Sequence, residues 1–282
     1  MAIHIKILLD KARQSNDETA VKIYRQILDE EPTNDEAHFN IGLIYKRQHD
    51  WKRSLYHNQQ SAKYDPSFQG AWWNIGIAAT MLKEWRIARR AWNHFGLKYE
   101  DSDAEITGQI GLTPVRLDPE GRAEVIWCKR IDPARAQIEN VPTIESGRHY
   151  DDIVLHDGAP NGFRKLQGRE VPVFDEIEVV KKSDYLTFDI RIESINPAET
   201  AAFEKICQGY AVECENWTMN VGRICKACSE GRPHERHDHK LEPPKGVFRF
   251  GLAAKNRQQV EQVLETWVMK TLNKQIEIVD FG

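Results

Sequence analysis

Laid on itself with an offset of 34 residues, the first third of the chain aligns without a gap, Asp35 to Pro66 falling on Gln69 to Glu100. His38 then matches Trp72, Ile41 matches Ile75, Gly42 matches Gly76 and Tyr45 matches Ala79. Trp51 matches Trp85, Ser54 matches Ala88 and Asn58 matches Trp92. A further shift of 34 brings Ala20, Tyr24, Ile27 and Pro32 into the same register. A period of this length, with small residues at fixed offsets, restricts the fold to stacked helix–turn–helix units. No such unit can bury its apolar face alone, so the stack forms one continuous core with a concave side suited to binding. Gly42 and Gly76, opposite Ser54 and Ala88, allow two helices to approach closely. Trp51 and Trp85 fill the wedge between neighbours. Pro32 and Pro66 close their units, because proline cannot continue a helix and biases the residue before it to extended geometry.

These positions resemble the tetratricopeptide repeat family: Ile41-Gly42, Tyr45, Trp51, Ser54 and Pro66 in one unit, Trp72, Ile75-Gly76, Trp85 and Ala88 in the next. The resemblance spans residues 1–102 and implies three repeats forming an all-α superhelix. The first repeat departs from the pattern, with Leu8 where glycine is usual, as terminal repeats often do. Family ligands lie against the first helix of each unit. The resemblance therefore implies a protein or peptide partner held by Ile5, Leu9, Phe39, Leu43, Arg47, Trp73 and Ile77, with Arg13 and Lys46-Arg47 as a basic edge. Members that bind chaperones clamp an acidic peptide terminus with Lys, Arg and Asn. Here Ile5, Leu9 and Gly70 occupy clamp positions and only Asn40 and Asn74 remain, which argues against that role. The groove is open to a partner unless the C-terminal part of the chain covers it.

Past Trp92 and Phe95 the helical pattern ends in an acidic run, Glu100-Asp101-Ser102-Asp103-Ala104-Glu105. Short apolar runs split by Pro and Gly follow, the texture of strand and turn. Residues 103–184 read as a strand-rich connecting region with strands at Val115–Leu117, Ala123–Cys128, Ile153–His156, Val171–Phe174 and Ile177–Val180. Asp157-Gly158 and Pro160-Asn161-Gly162 read as turns, and Arg130 to Tyr150 as a long loop. Residues 185–282 read as an α+β domain: a strand at Leu186–Ile192, a helix opened by Pro197, a strand at Val247–Leu252, a helix at Gln258–Leu272 and a strand at Ile276–Val279. Two strand–helix–strand units in succession suggest a ferredoxin-like sandwich. The expected class is α+β overall, an all-α array followed by an α+β domain with a Cys/His loop.

That loop, residues 225–239, is the sharpest chemical signal. Cys225 and Cys228 form a Cys-x-x-Cys pair, and His234, His237 and His239 follow closely. A Cys-x-x-Cys turn aims two thiolates at one centre, and two histidines would complete a tetrahedral structural zinc site. Only five residues separate Cys228 from His234, where common zinc fingers have about twelve. The loop must therefore wrap tightly, as Gly231 and Pro233 allow, or Cys207 or Cys214 closes the site instead. A redox pair is disfavoured, since Gly231 and Pro233 break the helix whose dipole would activate a thiol. Zinc-hydrolase spacings fail as well: His234-Glu235-Arg236-His237 is one residue short of His-Glu-x-x-His.

Whole-chain features narrow the remaining classes. At 282 residues the chain has room for about two domains. A net charge of −4 offers no footprint for nucleic acid or an anionic membrane. No 18-residue apolar run is present, the start lacks the pattern of a secretion signal, and five cysteines with four crowded between Cys207 and Cys228 do not form a secreted disulfide framework. A cytoplasmic location is expected. The leading expectation is a non-enzymatic interaction scaffold or adaptor. The competing ones are a metal-dependent hydrolase built on the Cys/His cluster and an intracellular immunity or regulatory protein.

Overall fold

The computed structural model describes residues 2–121, 123–166, 169–193, 195–219, 246–271 and 276–279. The chain is α+β and divides into two compact units, Met1–Thr107 and Gly108–Gly282. Among the described residues no helix is long and apolar enough to cross a membrane.

The first unit is six helices: α1 (Ala2–Arg13), α2 (Asp17–Glu30), α3 (Asp35–Arg47), α4 (Trp51–Tyr64), α5 (Gln69–Met81) and α6 (Trp85–His94). Each packs on the next in sequence, and α3 also packs on α5. Asn16, Asn34 and Asp50 cap α2, α3 and α4, their side chains accepting from the backbone N–H of Thr19, Ala37 and Arg53. Such caps satisfy amides that a helix start leaves open.

Positions 34 apart share more than helix boundaries. A Cβ on Gly42 would stand 2.4 Å from Asn58 Nδ2, and one on Gly76 would stand 2.3 Å from the Trp92 ring. Neither position leaves room for a Cβ unless the facing side chain shifts, so each glycine lets the side chain of the paired helix lie against its backbone. Both first helices also end alike. His49 and Lys83 adopt left-handed φ angles of 56° and 60°. Asp50 N–H then reaches back to the Tyr45 carbonyl at 2.9 Å, and Glu84 N–H to the Ala79 carbonyl at 2.8 Å. These are the bonds of a Schellman C-cap. After α6 the acidic run straps back onto the helix. Arg86 grips Asp103 through Nε at 3.0 Å and Nη2 at 2.8 Å, and Arg89 donates to the Ser102 carbonyl at 3.0 Å.

The second unit opens with a closed five-stranded barrel: β1 (Gly111–Leu117), β2 (Glu124–Arg130), β3 (Arg135–Ile138), β4 (Ile153–Leu166) and β5 (Arg169–Lys181). Neighbours in the chain pair antiparallel, and β1 closes onto β5 in parallel. Val115, Leu117, Ile126, Cys128, Ala136, Ile138 and Val154 fill the interior. Residues 103–184, expected to be strand-rich, hold the five strands of this barrel, and β3 lies inside the segment read as a loop. Asp157-Gly158 and Pro160-Asn161-Gly162 are not turns: they sit within β4, where its register against β5 shifts after His156 and after Pro160. The residues that make turns also make bulges, because both need special φ or a missing donor. Val171–Phe174 and Ile177–Val180 are one strand, β5.

Downstream come β6 (Leu186–Glu193), α7 (Pro197–Gly209), β7 (Glu213–Asn216), β8 (Val247–Ala254), α8 (Arg257–Thr271) and β9 (Ile276–Val279). The strands form one antiparallel sheet in the order β7-β8-β6-β9. Phe203 and Trp267 from the helices meet Phe188, Ile190 and Phe250 of the sheet in a shared core, with Phe203 edge-on to Phe250 at 5.1 Å and to Trp267 at 5.3 Å. Aromatic pairs favour this edge-to-face arrangement. Strand β7 has no counterpart in the sequence reading, because four residues with two glutamates carry no apolar alternation.

Candidate functional site

Each unit has concave features among its described residues. In the first unit the residues expected to hold a partner separate into two groups. Leu9, Phe39, Leu43 and Trp73 are half-buried and Arg47 is exposed, so each keeps surface to offer. Ile5 and Ile77 are removed from that surface, with exposures of 4% and 0%. Ile5 belongs to the core that joins α1, α2 and α3. On α5, Ala71 and every residue from Asn74 to Thr80 are buried, so this helix has little amphipathic contrast and its groove face cannot be told from its core face by pattern.

The basic edge is altered too. Arg47 Nη2 pairs with Asp17 at 2.6 Å, and Arg13 pairs with Glu36 and with Asp10. These pairs are solvent-exposed and individually weak. They still neutralise the cations at a small hollow of about 170 Å³ lined by Arg13, Tyr24, Asn40, Leu43 and Arg47. Lys46 is not on the edge at all. It is 6% exposed and donates to Asn74 Oδ1 at 3.0 Å. Asn74 in turn reaches Asn58 Oδ1 at 3.4 Å, and Asn58 donates to the Ser54 carbonyl at 2.8 Å. The two asparagines counted as candidate clamp groups are thus differently placed: Asn74 serves this interior chain, and Asn40 donates to the Glu36 carbonyl at 2.9 Å.

In the second unit a cleft of about 570 Å³ lies between the segment after β3, the first turns of α7, strand β7 and the start of β8. Helix α7 presents Pro197, Thr200, Ala201 and Glu204 to it, which is one face at i, i+3, i+4 and i+7. Glu213, Cys214, Glu215 and Asn216 of β7 line another side, and Glu139, Asn140 and Val141 a third. Two contacts clamp the walls together: Glu215 Oε2 accepts from Val141 N–H at 2.8 Å, and Trp217 Nε1 donates to the Val141 carbonyl at 2.9 Å. Behind the wall, Glu124 accepts from the Thr143 N–H at 2.9 Å and from its hydroxyl at 2.8 Å. Burial nonetheless outweighs those bonds and, with Glu215 and Glu145 nearby, pushes the Glu124 carboxyl up to about 7.

Two described groups of this unit, Cys214 and His156, are held in their neutral forms. Cys214 reaches the cleft, but its hydrogen bond with the Cys207 thiol and its burial push it far above the ordinary thiol range, the wrong direction for a nucleophile. Cys207 itself is fully buried in the apolar core. His156 is 0% exposed, stacked on Phe174 at 5.2 Å, and held neutral, with burial and then Arg130 lowering it to about 3. Its Nδ1 donates to the Asp157 carbonyl at 2.8 Å, so it braces a bulge of β4. Among the described residues no group of three or more His, Cys, Asp or Glu is placed to hold a metal ion. Cys225, Cys228, His234, His237 and His239 lie outside the described residues.

No protein-family model matches the chain, and no curated protein matches it.

Proposed function

We propose that the chain is a non-enzymatic interaction scaffold whose helical array is a tetratricopeptide superhelix that holds a protein or peptide partner. The observation that carries this reading is the recurrence, at an interval of 34, of the Gly42–Asn58 approach as Gly76–Trp92 and of the His49 cap as Lys83. An array built on such a repeat presents its first helices as one continuous surface. On that surface Phe39, Leu43 and Trp73 supply half-buried apolar contacts, with Arg47 beside them. The strand order β7-β8-β6-β9, with α7 and α8 as crossovers, supports a ferredoxin-like reading of the C-terminal sheet. Zinc held by Cys225, Cys228 and two of His234, His237 and His239 belongs to the same proposal as a structural ion. It rests on the Cys-x-x-Cys spacing.

Affinity capture with the full chain, wild type beside Leu43→Glu and Trp73→Ala, tests the groove. A partner retained by the wild type and lost with either variant is the expected result. Identical captures from all three baits would refute it. For the metal, the purified protein should carry one equivalent of zinc that Cys225→Ser abolishes, with a lower melting temperature.

A further inference from the structure

We infer that the hollow between α4, α5 and α6 binds a small aromatic acid, a planar ring system bearing one carboxylate. Gln59, Ala62 and Lys63 of α4, Trp72 of α5, and Ile87 and Arg90 of α6 line it, around a volume of about 410 Å³. That size falls among small-molecule sites. The repeat supplies an internal comparison. One register earlier, the Tyr45 hydroxyl accepts from Arg25 Nη2 at 3.1 Å and from Arg53 Nη1 at 3.2 Å, and the Arg53 guanidinium lies over the phenol ring at 4.4 Å. At an interval of 34, Tyr45, Arg25 and Arg53 become Ala79, Gln59 and Ile87, and Leu28 becomes Ala62. Each replacement is a smaller side chain. Gln59, Ile87 and Ala62 all line the hollow, so it occupies the wedge that the earlier register fills with an aromatic ring.

Trp72 gives that wedge a flat wall already held in place. Its Nε1 donates to the Pro66 carbonyl at 2.9 Å, and its ring stacks on His94 at 4.7 Å and 15°. A wall fixed beforehand loses little freedom when a ring packs against it. The charges at the rim change with the register as well, and independently of the ring. Asp29 gives way to Lys63, and Tyr56 to Arg90. Lys63 is exposed and makes no ion pair among the described residues, its Nζ lying 5.2 Å from the Tyr64 ring centre. Arg90 is exposed too, with Nη2 only as near as 3.7 Å to Asp101, a carboxylate that Arg86 Nη1 already holds at 3.1 Å. The described lining thus carries two cations and no carboxylate, which selects an anion. A flat apolar body with one negative charge answers both the shape and the charge. This inference does not rest on the partner groove, whose expected residues belong to α1, α3 and α5.

The test is calorimetric titration of the full chain with naphthoate, beside naphthamide, cyclohexanecarboxylate and the amidated peptide Asp-Tyr-Asp. Naphthoate should bind saturably at one site, and the neutral amide and the non-aromatic acid should each bind about ten-fold more weakly. Lys63→Ala with Arg90→Ala should also weaken naphthoate about ten-fold, a loss that shrinks with added salt. Ala62→Leu restores the larger side chain of position 28 and should abolish binding. Gln59→Trp, at a half-buried position, fills the hollow from its rim and decides the matter where Ala62→Leu fails to fold. Unchanged melting curves confirm that each variant folds, and Leu43→Glu should leave the affinity unaltered, which separates this site from the groove. The proposal is overturned by absence of binding at millimolar naphthoate, by affinity indifferent to the filling substitutions, or by the amide binding as tightly as the acid. It is equally overturned if the peptide outcompetes naphthoate, which would make the hollow a pocket for a protein partner's side chain.

Discussion

The Nδ1 atoms of His38 and His57 face each other at 3.1 Å across α3 and α4. His38 Nε2 lies 3.3 Å from the Pro32 carbonyl, which can only accept, so that nitrogen carries the proton and His38 Nδ1 is the acceptor. His57 therefore donates from Nδ1, and both rings are neutral. Protonating His38 at Nδ1 sets N–H against N–H, and protonating His57 at Nε2 places a charge in a half-buried site beside Arg25.

That arrangement predicts acid sensitivity. Burial first, then His38 and Arg25, lower His57 to about 4, and burial lowers His38. Both folded values lie below the unfolded one of 6.5, so the stability they contribute is complete above pH 6.5 and declines as pH falls towards 4. The melting temperature of the helical unit should drop across that window. His57→Gln, which keeps a donor and cannot titrate, should flatten the slope. Melts followed by circular dichroism at pH 7.5, 6 and 5 decide it, and an unaltered slope in the variant refutes the assignment.

The two glycine approaches should differ in cost. Gly76→Ala drives a methyl into Trp92, a fully buried indole ring with nowhere to move. Gly42→Ala meets the amide of Asn58 instead. Overpacking of this kind costs about 1–3 kcal/mol, less the helix-propensity gain of replacing glycine. Gly76→Ala should sit at or above the top of that range in urea unfolding. Adding Asn58→Ala should recover part of the loss in Gly42→Ala, whereas equal costs for the two glycines would contradict the packing argument.

Asp132 is 0% exposed in the turn before β3, and three donors converge on it: Ala134 N–H at 2.9 Å, Arg135 N–H at 2.8 Å and Arg135 Nε at 2.7 Å. Removing one partner of a buried ion pair is far more damaging than replacing both. Asp132→Ala should destabilise by about 3–5 kcal/mol, and Asp132→Ala with Arg135→Met by clearly less. Urea midpoints of the single and double variants provide the comparison. A double variant no better than the single one would remove the pair from the account.

Glu124 responds to pH in the opposite sense to the histidines. Its folded value of about 7 exceeds the unfolded 4.5, so its contribution is complete below pH 4.5 and is lost as pH rises through 7. The full difference is about 3 kcal/mol at 1.36 kcal/mol per unit. Glu124→Gln, neutral at every pH, should gain stability relative to wild type between pH 5 and pH 8. Denaturant unfolding at those two values measures it, and a constant difference would show that the carboxyl titrates normally.

How far the fold could be read from sequence depended on periodicity. The 34-residue repeat located the helices of the array, since α2, α4, α3 and α5 share boundaries in that register. It did not reveal that Lys46 turns inward, because lysine at a groove position looks like any solvated cation until Asn74 is found opposite it. The barrel stayed hidden for a different reason. Its closure depends on β1 meeting β5 some 60 residues later, at Val115–Phe174, and on bulges in β4 written with turn residues. The acidic cleft was equally illegible. Glu139, Glu204, Glu213 and Asn216 come from three separate elements with no common spacing, and only the fold gathers them.

The parallel closure of β1 onto β5 settles how this barrel is threaded. The chain enters at one end and leaves at the other, since both strands run the same way. Its ends are thus separated by at least the length of β1, roughly 20 Å for its seven residues. A short loop could not rejoin them in a circular permutant, and the barrel cannot be grafted into a host loop whose two ends lie side by side. It is an in-line segment, suited to standing between two other parts of a chain.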